Sequence, residues 1–272
     1  MRSPSLSLCL LLFAAGCQSL TAVEPVLVDP APVSSPARRI WEQGQEAMRL
    51  GQADKAIACY KQSLELDPQF AQAHLSLAAA HLELGNDANA CPHLGHYVDA
   101  RPEQVTVRGH YAELLYRLKR TREARDQFDR FIVDAQEQGG PAAKNLLHCH
   151  SRLMEIAEKE DDAYEEHLNR GIGLLLLARA RAGLSDQAKD LTQESLLCKA
   201  AGELTLALDE RSDEARPRWY LYELWSALAQ RQLAARWLHE AKSAAAFSYL
   251  TPAERYSLQL AETGSQVQST KR

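Results

Sequence analysis

Apolar residues recur every three or four positions along most of the chain from residue 37 onward, and strand-like alternation is nearly absent. This period of about 3.6 residues is typical of amphipathic helices that bury one face. Glycine and proline interrupt the pattern at Gly51, Pro68, Gly85 and Pro102, leaving room for only short connections. The pattern therefore predicts an all-α fold built from consecutive antiparallel helices.

The same residue types recur 34 positions apart. Pro68 and Pro102 have this spacing, as do Gly51 and Gly85. Gly44 and Ala78 also have this spacing, as do Ala56 and Ala90. One further step of 34 residues leads from Ala78, Ala90 and Leu94 to Ala112, Ala124 and Phe128. A fixed period of this length indicates a repeat architecture.

These motifs resemble the tetratricopeptide repeat family. Three repeats within residues 37–136 carry the resemblance, running from about Ala37 to Gln69, from Ala71 to Glu103 and from Val105 to Asp134. The resemblance implies a tetratricopeptide-type α-solenoid, a right-handed superhelix of antiparallel helix hairpins. It also implies a protein-binding scaffold without catalytic activity, binding an extended peptide or a helix in its concave groove.

Small residues at matched positions explain how such helices pair. We expect Gly44 to face Ala56 and Ala78 to face Ala90, because small side chains let two backbones approach closely. Larger residues, Tyr60 among them, should fill the space one turn further on. Pro92 is expected in the first turn of a helix that begins near residue 90 or 91, where proline is tolerated.

The repeat signature weakens after Gly139-Gly140-Pro141, but helical periodicity continues. Residues 141–262 are predicted to form degenerate hairpins and a capping helix, with Ser151 and Ala163 as small residues at a pairing site. The expected helices are 143–159, 161–182, 187–208, 217–230, 233–245 and 252–262, the last capped by Thr251. A disordered tail is expected over 263–272.

The first residues have the features of an export signal. Arg2 precedes the short apolar stretch from Leu6 to Ala15, and small residues lead to Cys17. This arrangement resembles the lipobox of bacterial lipoproteins, which implies a signal peptide at 1–16, lipidation of Cys17 and a proline-rich tether over 17–36. An ordinary secretory signal is the alternative. Gln18 after the cysteine favours the outer membrane, facing the periplasm.

Composition restricts the partners. The net charge is −5 and the chain has no basic patch, which argues against nucleic acid as a partner. Cys59, Cys91, Cys149 and Cys198 fall in predicted helices, where cysteine commonly behaves as a small core residue. A Cys59–Cys91 disulfide is the alternative for an exported chain.

The sequence carries no recognisable catalytic, cofactor or metal motif. There is no Gly-x-Ser-x-Gly nucleophile motif and no phosphate-binding glycine loop. In Cys91-x-His93-x-x-His96, only the two histidines share a helix face, so packing or surface roles are favoured over metal binding. We therefore expect no enzyme and no cofactor.

The expected partner-binding groove is lined by the first helices of successive repeats. Its predicted residues are Trp41, Gln45, Arg49, Leu75, Ala79, Leu82, Glu83, Glu113, Tyr116, Arg117, His148, Arg152 and Glu155. Arginines at 49, 117 and 152 would pair with a carboxylate of a bound segment, and Tyr116 is a typical anchor residue. The alternative is an ordinary solvated helix face.

The combined prediction is a membrane-anchored adaptor in the periplasm. Pilus or secretin assembly, barrel-protein assembly and peptidoglycan machinery are the envelope complexes that use lipoproteins of this plan. The alternatives are a structural homo-oligomer that associates through the Trp219–Trp237 region, or a metal-binding or enzymatic lipoprotein.

Overall fold

A computed structural model describes residues 35–139, 145–182 and 191–269. These residues form twelve helices and contain no strand, and the predicted all-α, tetratricopeptide-type fold is confirmed. The signal peptide, Cys17 and all but the last two residues of the predicted tether lie outside the described residues. Ser35 caps the first helix by accepting a hydrogen bond from the Arg38 backbone N–H, with Pro36 at the first helical position.

The chain divides into two compact units between Arg101 and Pro102. The first unit contains α1 (Pro36–Arg49), α2 (Ala53–Leu66), α3 (Ala71–Glu83) and α4 (Asp87–Ala100). The second contains α5 (Val105–Arg117), α6 (Thr121–Gln138), α7 (Leu146–Glu160), α8 (Ala163–Ala182), α9 (Leu191–Glu210), α10 (Ala215–Ala227), α11 (Arg231–Ala244) and α12 (Pro252–Ser269). The division of the sequence at residues 139–141 rests on repeat similarity and stays a prediction.

Neighbouring helices pack in chain order within each unit. In the first unit α1 pairs with α2, α2 contacts α3, and α3 pairs with α4. In the second unit α5 pairs with α6, α7 with α8 and α10 with α11, while α9 packs against α8. The last helix contacts both α11 and α6.

The turns between paired helices share one backbone geometry. Gly51, Gly85 and Lys119, each 34 residues apart, have φ angles of 71°, 70° and 63°. At each turn the following N–H reaches back five residues, to the carbonyls of Ala47, His81 and Leu115. This is the Schellman motif, which ends a helix in a left-handed residue. Ala229 and Asp161 repeat it in the second unit, with φ angles of 56° and 59°.

The small positions of the three repeats are buried. Ala56, Ala78 and Ala90 have no exposed surface, nor have Ala112 and Ala124. Ser151 and Ala163, the proposed counterparts in the fourth pair, are only half-buried, and the Ser151 hydroxyl donates to the Leu147 carbonyl. The prediction of a small pairing site there is wrong.

A large apolar core in the second unit joins α8 to α12. Leu175, Leu204 and Leu224 are fully buried in it, and Trp219 belongs to the same core at 4% exposure. Trp225 and Trp237 pack against this core as half-buried residues. The tryptophans of the Trp219–Trp237 region therefore pack within the unit, which argues against the alternative that this region is a self-association surface. Among the described residues, no helix is both long and apolar enough to span a bilayer.

Two helix boundaries differ from the sequence prediction. The fourth helix begins at Asp87, so Pro92 lies in its interior and not in its first turn. Pro92 is exposed, and so is Ala88, whose carbonyl loses its helical N–H partner to the proline and can bond to water instead. The last helix continues to Ser269, because Gly264 lowers helix propensity without ending the helix.

The cysteines divide between core and surface. Cys91 and Cys149 are buried, as predicted, Cys59 is half-buried, and Cys198 is exposed, where the core prediction is wrong. The alternative Cys59–Cys91 disulfide is not formed.

Candidate functional site

In the first unit, the predicted groove residues of α1 and α3 meet at Ser76. The indole Nε1 of Trp41 donates to the Ser76 hydroxyl at 2.8 Å, and the Gln45 amide donates to the same oxygen at 2.7 Å. The Trp41 ring also packs edge-on against Phe70, with ring centroids 5.7 Å apart. Residues from two successive first helices are thus joined into one surface.

The rest of this surface is apolar and partly open. Leu75, Ala79 and Leu82 on α3 are half-buried, whereas Glu83 is exposed. Arg49 is exposed and forms an ion pair with Glu46 on its own helix at 2.6 Å. Its charge is already partly neutralised, which weakens the prediction that it pairs with a partner's carboxylate.

In the second unit, Glu113 connects the first helices α5 and α7. Its carboxylate accepts two hydrogen bonds from the Arg152 guanidinium, at 2.9 and 3.0 Å, and one from His148 Nε2 at 2.9 Å. Burial alone would favour the neutral acid, but these bonds from His148 and Arg152 hold the Glu113 pKa below its ordinary value. Glu113 is therefore an ionised acceptor at neutral pH.

Tyr116 lies beside this ion pair and is itself surrounded by charge. Its hydroxyl donates to Glu155 at 2.6 Å and accepts from the Lys159 ammonium at 2.6 Å. The Arg152 guanidinium carbon and the Lys159 nitrogen lie 4.8 and 4.5 Å from the centre of its ring, which is cation–π geometry. The ring is held in one orientation, half-buried, next to two cations.

The structure brings together five of the predicted residues of this unit: Glu113, Tyr116, His148, Arg152 and Glu155. Arg117 is exposed. Arg152 also bonds Glu155 at 2.9 Å, so its charge is shared between two carboxylates of the chain itself. Whether these residues bind a partner stays a prediction.

Sequence reasoning missed Ser76 and Lys159 as members of these surfaces. Ser76 follows Trp41 by 35 residues and Lys159 follows Tyr116 by 43. The first spacing is close to the repeat period and was available as a signal. The second was not, because the connection after α6 lengthens the step between α5 and α7.

Four histidines pack between α3 and α4. The Nδ1 atoms of His74 and His93 are 3.1 Å apart, and His74 Nε2 is 3.0 Å from the Pro68 carbonyl oxygen. His96 stacks on His74 at 4.8 Å between ring centres, and His81 lies parallel to His93 at 6.4 Å. Within the described residues, no group of three or more histidine, cysteine or acidic side chains is arranged to hold a metal ion.

Three of these histidines, His74, His81 and His93, are uncharged at neutral pH. Burial, followed by the charges of the neighbouring histidines, lowers the pKa of His93 to about 4. Burial also lowers the pKa of His74 and of His81. The cluster is a packed element of the hairpin, in agreement with the packing role favoured from the sequence.

Comparison with known proteins identifies the repeat. Residues 44–85 match the family model described as TPR repeat, the tetratricopeptide repeat. No curated protein sequence matches the chain.

Three solved structures illustrate the similarity of fold. The first TPR of Spaghetti (RPAP3), bound to the HSP90 peptide SRMEEVD, is 21% identical, covering 44% of this chain and 95% of that one, with a TM-score of 0.38. PilW, described as a widely conserved type IV pilus biogenesis factor, is 16% identical over 83% of this chain and 100% of its own, with a TM-score of 0.36. MamA from Desulfovibrio magneticus RS-1 is 12% identical over 78% of this chain and 97% of its own, with a TM-score of 0.37.

Proposed function

We propose that this chain, a tetratricopeptide repeat protein, is a membrane-anchored scaffold that binds a partner protein along the first helices of its hairpins. The observation that carries the proposal is the joining of successive first helices into continuous surfaces, at Ser76 in the first unit and at Glu113 in the second.

The first-unit surface is suited to an apolar side of a peptide or helix. Trp41 supplies an aromatic anchor held by its bond to Ser76, and Leu75, Ala79 and Leu82 add half-exposed aliphatic area. Aromatic anchors among well-packed apolar neighbours supply most of the binding energy in protein interfaces. The second-unit surface offers the Tyr116 ring and a polar network that can form hydrogen bonds with a bound backbone.

Capture of partners from detergent-solubilised membranes tests the binding surface. Leu82→Lys places a charge on the apolar face of α3, and the double variant Tyr116→Ala, Arg117→Glu removes the anchor and reverses a charge on α5. The matched controls are Asn89→Lys on α4 and Arg122→Glu on α6, both at exposed positions of second helices. We expect the groove variants to lose the partner recovered by the wild type, while the controls retain it. Full recovery by both groove variants would contradict the proposal.

The membrane anchor is a separate part of the proposal. It is supported by the small residues before Cys17 and by the proline-rich stretch after it. Three acyl chains would hold the chain firmly, since each buried methylene contributes about 0.8 kcal/mol. In a bacterium with two membranes, the position of Gln18 favours the outer membrane and a periplasmic location.

Labelling with radioactive palmitate tests the anchor. The wild type should incorporate label and sediment with membranes, and Cys17→Ser should do neither. Cys198→Ser is the control, because Cys198 is an exposed cysteine of the folded part. Label retained in Cys17→Ser would show that the lipobox assignment is wrong.

The partner is expected to belong to an envelope complex. Pilus or secretin components, barrel-assembly proteins and peptidoglycan enzymes are the candidate classes. Mass spectrometry of the material that the wild type captures and the groove variants lose distinguishes among them.

A further inference from the structure

The second unit contains a polar cavity that the proposed scaffold role does not use. Its volume is about 280 Å³, and it lies among α6, α7, α8, the start of α10 and the segment before α12. His150, Thr251 and Asn169 are its most buried polar residues, at 2%, 2% and 4% exposure. Asp129 and Tyr249 line it from exposed positions, so the cavity is open to solvent on their side.

Hydrogen bonds fix the chemical character of its buried end. The Asn169 amide nitrogen donates to the Glu165 carbonyl at 2.8 Å, which orients the amide oxygen toward His150. That oxygen lies 2.8 Å from His150 Nδ1, so Nδ1 must carry the proton and donate. Burial lowers the pKa of His150 to about 4, and the ring is neutral. Its Nε2 is therefore an acceptor, and no described residue donates to it.

Two carboxylates add further acceptors. Asp129 lines the cavity with no hydrogen-bond or ion-pair partner among the described residues. Glu165 receives one bond, at 3.2 Å, from the Asn169 amide, and carboxylates have several lone-pair sites. The cavity thus presents acceptors that its own residues leave unsatisfied, and any occupant must supply donors.

The guanidinium groups at the cavity are already neutralised. Arg216 forms hydrogen bonds of 3.1 to 3.2 Å with Glu254, and Arg125 is paired with Glu160. Counting Asp129 and Glu165, four carboxylates surround two guanidiniums, which leaves an excess of two negative charges. A cation with donors complements this arrangement, whereas an anion would have to compete with the existing pairs.

The remaining walls are apolar except for Thr251, whose hydroxyl donates to Gln136. Ile132, Val133 and Leu153 line the cavity together with the Tyr249 ring. A volume of about 280 Å³ is near the lower end of ligand pockets, roughly 300 to 1,000 Å³, and admits only a small group. We propose that this cavity binds a primary ammonium on an aliphatic chain, with the ammonium at Asp129, Glu165 and His150 Nε2 and the chain against Ile132, Val133 and Leu153.

This chemistry has two sources, a free aliphatic amine or a lysine side chain of a bound protein. The site is separate from the first-helix surface, because His150 points about 200° around α7 from His148. The proposal therefore does not depend on the scaffold role.

Calorimetric titration of the full-length protein tests the site with defined probes. Pentylamine represents a free amine, acetyl-Gly-Lys-Gly-amide represents a lysine side chain, and 1-pentanol is the neutral control. We expect one or both cationic probes to bind and 1-pentanol to bind at least tenfold more weakly. Binding of pentylamine alone indicates a free amine, and binding of the peptide alone indicates a lysine side chain. Equal binding of pentanol and pentylamine, or binding of neither cationic probe, would overturn the proposal.

A charge-neutralising pair of variants locates the binding. Asp129→Asn removes the unpartnered carboxylate and is expected to weaken binding about tenfold or more, since a charged hydrogen bond is lost. Asp126→Asn is the control, an exposed aspartate one turn earlier on α6 that does not line the cavity. Circular dichroism of both variants checks that they fold like the wild type. Equal affinity of the two variants would show that binding occurs elsewhere.

The pH dependence gives an independent readout. Although Asp129 is exposed at the solvent side of the cavity, the surrounding protein partly desolvates its carboxyl group. This desolvation, followed by the negative charge of Glu165, raises the pKa of Asp129 to about 6, so affinity should fall as the pH drops below 6. The charged and titratable groups around this carboxyl are Arg125 and Asp126 on α6, His150 on α7, Glu165 on α8 and Arg216 on α10. Asp129→Asn should lose this dependence, and a pH profile unchanged by the substitution would contradict the assignment.

Discussion

At the scale of single residues, Gly44 shows why the repeat requires a residue with a small side chain at this position of its first helix. A Cβ atom placed on it would lie 2.5 Å from the Tyr60 ring and 3.2 Å from Cys59 Cβ. The sequence predicted Ala56 as its facing neighbour, but the fully buried ring of Tyr60 sets the close contact. The glycine is required by an aromatic side chain in the pairing helix, and that ring cannot move into open space.

Substitution of Gly44 tests this contact. Gly44→Ala should reduce the free energy of unfolding by about 1–3 kcal/mol, as overpacking in a core does. Gly202→Ala is the control, because a Cβ there meets nothing within 4 Å and alanine favours a helix by up to about 1 kcal/mol. Urea denaturation measures both, and a stabilised Gly44→Ala variant would contradict the packing argument.

At the scale of helices and turns, the left-handed residue after each first helix is the most regular feature of the repeat. Glycine occupies it twice, but Lys119, Asp161 and Ala229 adopt the same region at a cost in backbone energy. Repeat stacking holds these residues in place through the Schellman hydrogen bonds. The turn is thus set by the helix pair and only assisted by glycine.

Relief of this strain is measurable at one turn. Lys119→Gly should stabilise the protein by about 0.5–1 kcal/mol. A non-glycine residue is destabilised by roughly 1–2 kcal/mol in the left-handed region, and glycine removes this strain. Part of the benefit is offset because glycine increases the conformational entropy of the unfolded chain. Gly85→Lys, the reciprocal change, should destabilise by a similar amount. Chemical denaturation checks both directions, and a destabilised Lys119→Gly variant would refute the strain argument.

The pairing of α3 with α4 should make stability depend on pH. The pKa of His93 is about 4 in the folded state and about 6.5 in an unfolded chain, so the unfolded state binds more protons between these values. The stabilising contribution is complete above pH 6.5 and is lost as the pH falls toward 4. Melting temperatures from pH 7.5 to 4.5 should fall less steeply for His93→Gln than for the wild type. His239→Gln, at an exposed site on α11, should follow the wild type, and an unchanged slope in His93→Gln would contradict this account.

At the scale of the second unit, α12 acts as a cap that ties distant parts of the chain together. The Thr251 hydroxyl caps the helix by accepting from the Glu254 N–H at 3.2 Å, and the Glu254 carboxylate accepts from the Thr251 N–H at 2.8 Å. Glu254 also bonds Arg216 and the Tyr220 hydroxyl on α10, while Thr251 contacts Gln136 on α6, 115 residues earlier. The predicted N-cap at Thr251 is confirmed, and the carboxylate of Glu254 joins this helix terminus to the core.

Removal of this charge should loosen the unit. The Glu254 side chain is 3% exposed and the Arg216 side chain is 15% exposed, and Glu254→Gln leaves this largely enclosed cation with weaker partners. Loss of one partner from a buried ion pair typically lowers the free energy of unfolding by about 3–5 kcal/mol. Because the glutamine amide retains part of the hydrogen bonding, we expect a decrease of about 3 kcal/mol. The control Glu262→Gln, which breaks the half-exposed pair with Lys242, should change stability by about 0.5 kcal/mol or less. Equal stability of the two variants in thermal melts would contradict the claim that Glu254 fastens α12 to the rest of the unit.

The sequence by itself determined the all-α class, the 34-residue period, the helices of both units and the cap at Thr251. These features depend on local rules of periodicity, small-residue spacing and helix capping, which neighbouring residues encode. Tertiary structure decided where Pro92 falls within α4 and that Asp129, His150 and Glu165 line one cavity. The cavity depends on contacts between residues far apart in the chain. After α6 the repeats no longer follow one another at a fixed spacing of 34 residues, so the sequence does not indicate which residues come together there.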